Sequence, residues 1–293
     1  MSNDQPLGIG LHYGIDAERY HSDPCERPSI SASLATILTN QTPAHAYLAH
    51  PRLGGAKRDS TRSMDHGTLC HALMLGIGQE IVPIYADDFK TKAAREERDA
   101  VRESGKLPIL ASEYEEAMRS TRLIREKLAD RGVVLNGKSE VVAVWEEALA
   151  DGRKVLCRAM MDHLILAKGK VYDLKFSGKN LGKVGDSFTD FGYEIQEEVY
   201  HRALAKLVPE LVGRTDLEFL FCETEAPYCI RRIAGDGQMR DLGRRKFKRA
   251  LYTWADCLER DSWPEYSPEL TRVSPKPWAV MAEDDHGFID NSP

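Results

Sequence analysis

The stretch VLCRAMMDHLILAKGKVYDLKFSGKNLGKVGDSFTDFGYEIQEEVY, residues 155–200, organises the reading of the chain. Two short apolar segments, 155–161 and 171–176, read as neighbouring strands joined by a turn around Ala167, Lys168 and Gly169. The first ends at Asp162, and the second carries Asp173, Leu174 and Lys175 in its middle. Residues two apart on a strand share a side, so Asp173 and Lys175 lie on one face while Leu174 points into a core. Pairing of the two strands would bring Asp162 beside Asp173. Two acids with an ammonium group one alternation away form the minimum set for metal-assisted phosphodiester hydrolysis. Oxygen ligands hold Mg²⁺ or Mn²⁺, the metal activates water, and the lysine offsets charge or orients the nucleophile. The same charges also fit a solvated strand face. Against that, the residues flanking them are apolar, as in a strand buried on both sides.

Upstream, residues 140–146 read as another strand, with Asp151-Gly152 as the hairpin turn into segment 155–161. Glu140, at its start, is either an edge carboxylate or an acid aimed at the same centre. Downstream, residues 177–185 form a loop with Lys179 and Lys183. It is not a phosphate-binding Walker loop, because Ser177 stands where glycine is needed and Val184 follows Lys183. It reads as a basic rim beside the acids. A helix over 188–207 stacks Gln196 and Tyr200 one turn apart. Segments 217–222 and 228–233 read as paired strands, and 237–258 as the last long helix. Its run Arg244-Arg245-Lys246-Phe247-Lys248-Arg249 is either a solvated helix face or a surface that tracks phosphates.

Residues 1–28 read as an arm, with Pro6, Pro24 and Pro28 and a cluster of His12, Tyr13, Tyr20 and His21. Residues 29–33 open a helix that Thr42-Pro43 ends, and a second helix spans 44–50. The glycine-bearing stretch 51–63 holds Arg52, Lys57, Arg58 and Arg62 and is a connector or a phosphate or subunit contact. A helix over 64–75 puts Gly67 and His71 on one face, where Gly67 admits close packing. His71 is then either a core histidine or a ligand, with His66 the less suited of the two. After a short apolar segment, 81–85, comes a charge-dense solvated helix. An amphipathic helix follows over 111–131, with Gly132 ending it. From Trp263 the chain is punctuated by prolines and reads as an extended tail. The expected organisation is an arm (1–28), a central domain (29–262) and a tail (263–293).

With 293 residues, 42% of them hydrophobic, the chain can bury one large core. No apolar run approaches 18 residues, and MSNDQPLGIG lacks the basic and apolar parts of a secretory signal. Six scattered cysteines fit free thiols in a reducing cytosol, so a cytoplasmic, non-membrane protein is expected. A net charge of −6 does not advertise nucleic-acid binding but leaves room for a local positive track.

In order, Gly67-x-x-x-His71, Glu140, Asp162, Asp173-x-Lys175 and Gln196-x-x-x-Tyr200 resemble the RecB-type branch of the PD-(D/E)XK nucleases, and within it the exonuclease VIII (RecE) nuclease domain of prophages. Ser31-Ala32-Ser33-Leu34 followed by Thr42-Pro43-Ala44 is also similar to the start of that family, and the likeness covers roughly residues 28–260. The resemblance implies an α/β (α+β) fold, a central mixed sheet flanked by helices. It implies a metal site of His71, Asp162 and Asp173, with the Leu174 carbonyl as a further ligand and Lys175 as the catalytic lysine. Glu140 becomes a second-shell or second-metal acid, and Gln196 and Tyr200 brace the centre or contact the scissile strand. Asp173 stands where many relatives have glutamate. The implied cofactor is Mg²⁺, with Mn²⁺ as a substitute. No iron–sulfur cluster is expected, since no four-cysteine framework surrounds Cys222 and Cys229. The implied activity is digestion of the 5′-ended strand of linear double-stranded DNA, leaving 3′ single-stranded tails for recombination. A ring of three or four subunits and a single-strand annealing partner are implied as well. The alternatives are a single-strand exonuclease or an endonuclease of the same fold, or a catalytically silent DNA-binding protein.

Overall fold

The computed structural model describes residues 5–56, 61–178, 180–186 and 188–285. The chain begins with β1 (Gly10–His12), α1 (Ala17–His21), α2 (Ala32–Asn40), α3 (Pro43–Ala49) and α4 (Arg62–Leu75). An excursion through β2 (Ile81–Ile84), α5 (Lys92–Glu103) and β3 (Leu107–Leu110) leads into the long α6 (Ala111–Asp130). The central strands β4 (Lys138–Ala148), β5 (Lys154–Ile165) and β6 (Lys170–Ser177) precede α7 (Tyr193–Leu207). Then come β7 (Asp216–Glu223), β8 (Ile230–Ile233), α8 (Gly237–Arg260) and α9 (Pro277–Asp285).

The six-stranded sheet has the order β1-β4-β5-β6-β7-β8. Only β6 and β7 run parallel within it, so the connection between them must cross over, and α7 is the crossover helix. The sheet is mixed and flanked by helices, as the sequence implies. Apolar residues run nearly unbroken through β4 and β5 because both faces of these strands are buried. Val141, Ala143 and Trp145 meet α2, α7 and α8, while Val142 and Val144 lie under Leu7 and Tyr20 of the N-terminal arm. On the far half of the sheet, Tyr172, Leu174 and Leu220 pack against Met74 of α4 and Ile124 and Leu128 of α6.

Four expectations change in detail. The arm is part of the sheet, with β1 pairing antiparallel to β4. The helix expected from residue 188 begins at Tyr193, since 188–192 form a turn with Gly192 left-handed at φ 71°. The charge-dense region is framed by a second, two-stranded parallel sheet of β2 and β3, too short to announce itself by alternation. The tail is irregular from 261 to 276 and then closes as α9. Lys57, Arg58 and Lys179 lie outside the described residues.

A buried polar knot fastens the arm. Asp23 is fully buried, with His50 Nε2 at 3.1 Å and Arg158 Nη1 of β5 at 3.1 Å. The Ser29 N–H and Oγ–H donate to the same carboxylate at 3.0 and 2.6 Å. Burial pushes the Asp23 carboxyl up, but these donors outweigh it and hold it below the usual carboxylate range. A depressed acid stabilises the fold above its unfolded pKa, and that contribution is lost as the pH falls through the folded value. Asp23→Asn leaves Arg158 buried without its counter-charge, so it should cost about 3 kcal/mol at pH 7. Urea denaturation should show the gap from wild type narrowing below about pH 4. A gap that is constant with pH would contradict the role of the charge.

Candidate active site

The β5–β6 ladder is short, running from His163 opposite Tyr172 to Ile165 opposite Lys170. Beyond it β5 stays with β4, and β6 stays with β7. Asp162 and Asp173 are the first residues past the ladder, one on each branch of the fork. The Leu174 N–H faces the gap and donates to Asp162 Oδ2 at 2.8 Å. A side chain therefore replaces a strand bond where the strands part.

The β4–β5 register, with Ser139 opposite His163 and Val141 opposite Met161, sets Glu140 opposite Asp162. Glu140 itself drops out of the ladder and has φ 49°, left-handed geometry that is rare for glutamate and concentrated at functional sites. Glu140, Asp162 and Asp173 thus occupy corresponding positions on three successive strands.

Two helices complete the centre. From α4, His71 Nε2 lies 2.9 Å from Asp162 Oδ2, and its Nδ1 lies 4.0 Å from Glu140 Oε1. From α7, Gln196 Nε2–H donates to Asp173 Oδ2 at 2.7 Å and lies 2.7 Å from the Tyr200 hydroxyl. That hydroxyl is 3.1 Å from Asp173 Oδ2 and 2.8 Å from the Met160 carbonyl, and its one proton serves one of these acceptors at a time. The Lys175 ammonium pairs with Asp173 Oδ1 and lies 5.3 Å from the centre of the Tyr193 ring. Asp173 Oδ1 is buried and has no hydrogen bond of sound geometry, so its contact with Lys175 is ionic. Leu174 turns away, into the core against α6, as its place in the alternation requires.

The electrostatics separate the two aspartates. Burial, reinforced by the charge of Asp162, pushes Asp173 up to about 6 in spite of Lys175. Asp162 is opposed by burial too, but His71, Lys175 and the Leu174 N–H hold it below the usual range. Burial works against charge on His71, and the Asp162 carboxylate overcomes it and raises the imidazole. Lys175 is likewise raised against burial by Asp173 and Asp162. Glu140 is pushed up by burial. Like charges sharing a buried site drive such a divergence.

Every residue singled out in the sequence for this centre therefore meets the others here, although Gly67 does so differently than expected. A side chain built on Gly67 would meet nothing within 4 Å, so it admits no close packing within the chain and instead lines open space. The helical run from Arg244 is partly engaged inside the chain. Lys246 reaches Glu194 at 2.6 Å, Arg244 and Arg245 pair with Asp241, and Phe247 is buried. Among the described residues no three His, Cys, Asp or Glu side chains converge as a ready metal cage. The direct His71–Asp162 and Lys175–Asp173 pairs occupy that position instead.

Sequence reasoning passed over the walls of the site. A cleft of about 730 Å³ opens on His71, Glu140 and Lys175, and one of about 580 Å³ opens on Asp162, Gln196 and Tyr200. They share His21, Met160, Lys175 and Phe191. The available signal was Phe191-Gly192-Tyr193, a glycine between aromatics inside an assumed helix.

Fold and site together define a PD-(D/E)XK-like nuclease-superfamily domain. Over residues 33–273 the chain matches the PDDEXK-like domain of unknown function (DUF3799), and it belongs to that family. No curated protein matches the sequence. A solved structure from Eubacterium rectale, designated a candidate exonuclease, is 15% identical with a TM-score of 0.58, covering 93% of this chain and 98% of that one. A phage-related exonuclease from Haemophilus somnus is 12% identical with a TM-score of 0.33, covering 80% and 96% respectively.

Ionised Asp173 is a cost to the fold. Its raised pKa means that stability falls as the pH rises from about 4, its usual value, to about 6, and stays lower above that. In EDTA at pH 8, Asp173→Asn should therefore melt higher than wild type, by on the order of 1 kcal/mol. At pH 4 the advantage should vanish. Thermal denaturation at the two pH values checks both statements.

Proposed function

We propose that this protein is a Mg²⁺-dependent exodeoxyribonuclease that degrades the 5′-ended strand of linear double-stranded DNA, leaving 3′ single-stranded tails for recombination. The observation that carries the reading is the pair Asp162 and Asp173 at the fork of two strands, with Lys175 on the same face as Asp173 and His71 closing from α4.

The donor set suits a hard divalent cation. Asp162, Asp173 and the Leu174 carbonyl supply oxygen, His71 supplies nitrogen once deprotonated, and Asp173 holds a buried oxygen without a hydrogen bond. When bound, Mg²⁺ or Mn²⁺ supplies Lewis-acid activation of water and of the scissile phosphate. Lys175 releases its pairing with Asp173 and places its positive charge on a nonbridging phosphate oxygen or beside the attacking water. Gln196 and Tyr200 hold the Asp173 carboxylate in one orientation through Oδ2, leaving Oδ1 to the Lys175 ammonium. Glu140 is an acid at the edge of the same centre that can take a proton or help hold a second ion. The products are a 5′-phosphate and a 3′-hydroxyl.

The finer features inherited from the family likeness are part of the same proposal. A RecE-like ring of three or four subunits would multiply each monomer's local positive surface around DNA despite a net charge of −6. A single-strand annealing protein is the natural consumer of a 3′ tail. Among the described residues no helix is long and apolar enough to cross a membrane.

The test uses linear duplex DNA labelled at each 5′ end in turn, beside a closed circle, with Mg²⁺ or EDTA. Mg²⁺-dependent release of 5′ label from the linear form alone is expected, and Lys175→Ala should lower it by about 10²–10³-fold. Nicking of the circle would make the protein an endonuclease. No cleavage together with intact DNA binding would leave a silent binding protein.

A further inference from the structure

The turn 188–192 places a large aromatic side chain outside the cores. Phe191 is 64% exposed, so much of its ring is open to a further partner. Mobility of the turn does not explain this, because both of its ends are fixed. Phe188 is buried edge-on against Phe219 at 5.4 Å. Gly192 lies so close to Thr36 of α2 that a Cβ there would come within 2.3 Å of Thr36 Oγ1. Between these anchors the Phe191 ring stacks on Tyr193 at 5.6 Å with planes 27° apart. Tyr193 in turn lies beside the Lys175 ammonium. One face of Phe191 is thus backed by a ring next to the reactive centre.

Its position is equally specific. Phe191 is one of four residues that line both clefts, together with His21, Met160 and Lys175. The two clefts therefore adjoin at a wall that includes both Phe191 and Lys175. An exposed aromatic lining the same clefts as an ammonium group suits a nucleotide, whose base stacks on the ring while its phosphate meets the ammonium. Stacking is indifferent to base identity, since every base has a π-face.

We propose that Phe191 is the platform on which the nucleobase adjoining the scissile phosphate stacks, positioning one unpaired nucleotide at the neck between the clefts. The inference rests on the nuclease reading and names how that site holds its substrate. Phe191 touches no acid of the centre and acts by positioning.

The experiment uses the full chain and a linear duplex whose 5′-terminal base is 2-aminopurine, compared as wild type, Phe191→Ala and Phe191→Trp. In EDTA, binding by wild type should quench 2-aminopurine fluorescence, Phe191→Ala should lose the quenching while still binding DNA, and Phe191→Trp should restore it. In Mg²⁺, Phe191→Ala should raise KM about tenfold with a smaller change in kcat, and Phe191→Trp should recover KM. Melting temperature should be unchanged, because the side chain packs no core. Quenching and KM in Phe191→Ala equal to those of wild type would overturn the inference. Phe191-dependent quenching with no cleavage by wild type would overturn the nuclease reading and keep the stacking platform.

Discussion

Two largely buried carboxylates at the mouth of a parted strand pair are the constraint on which this structure turns. Left alone, Asp162 and Asp173 could not both be ionised. The protein answers with the His71 imidazole against Asp162 and the Lys175 ammonium against Asp173, and with three neutral donors: the Leu174 N–H, Gln196 and Tyr200. The answer is incomplete at Asp173, whose pKa stays raised and whose Oδ1 has no directed hydrogen bond. Asp173 is therefore the less fully compensated acid of the pair.

The rest of the fold follows from holding this arrangement. β6 must leave β5 to expose the acids and must then find a partner, which it does in parallel with β7. A parallel pair demands a crossover, and α7 supplies it while carrying Gln196 and Tyr200 to the back of Asp173. α4 packs through Met74 and Leu69 into the cores beneath the sheet and the small β2–β3 unit, which fixes His71 at the front. The arm closes the opposite edge through β1 and the Asp23 knot, and brings His21 to the cleft wall.

Much of this was legible because strand alternation is strict. Asp173 and Lys175 share a face, Leu174 faces the other core, and the turn at 166–169 sets the register that brings Asp162 level with Asp173. Helical spacing gave Gln196 and Tyr200 in the same way. What could not be read depends on distant packing. Nothing local distinguishes β1 from a loop, and it becomes a strand because β4 offers an edge. The left-handed Glu140 is likewise invisible in sequence, since glutamate carries no signal for that backbone. Phe191 falls inside the helix expected from residue 188, whereas the helix starts only after Gly192, which packs against Thr36. The segments too short for periodicity, β2 and β3, owe their form to the helices around them.

The most direct measurement is a crystal of the wild-type protein soaked in Mn²⁺, with anomalous scattering used to locate the ion. A peak beside Asp162 and Asp173, with Lys175 moved off Asp173, is the predicted result. A site without a peak, both aspartates still paired to His71 and Lys175 at saturating Mn²⁺, would contradict the claim that these carboxylates are held apart for a metal.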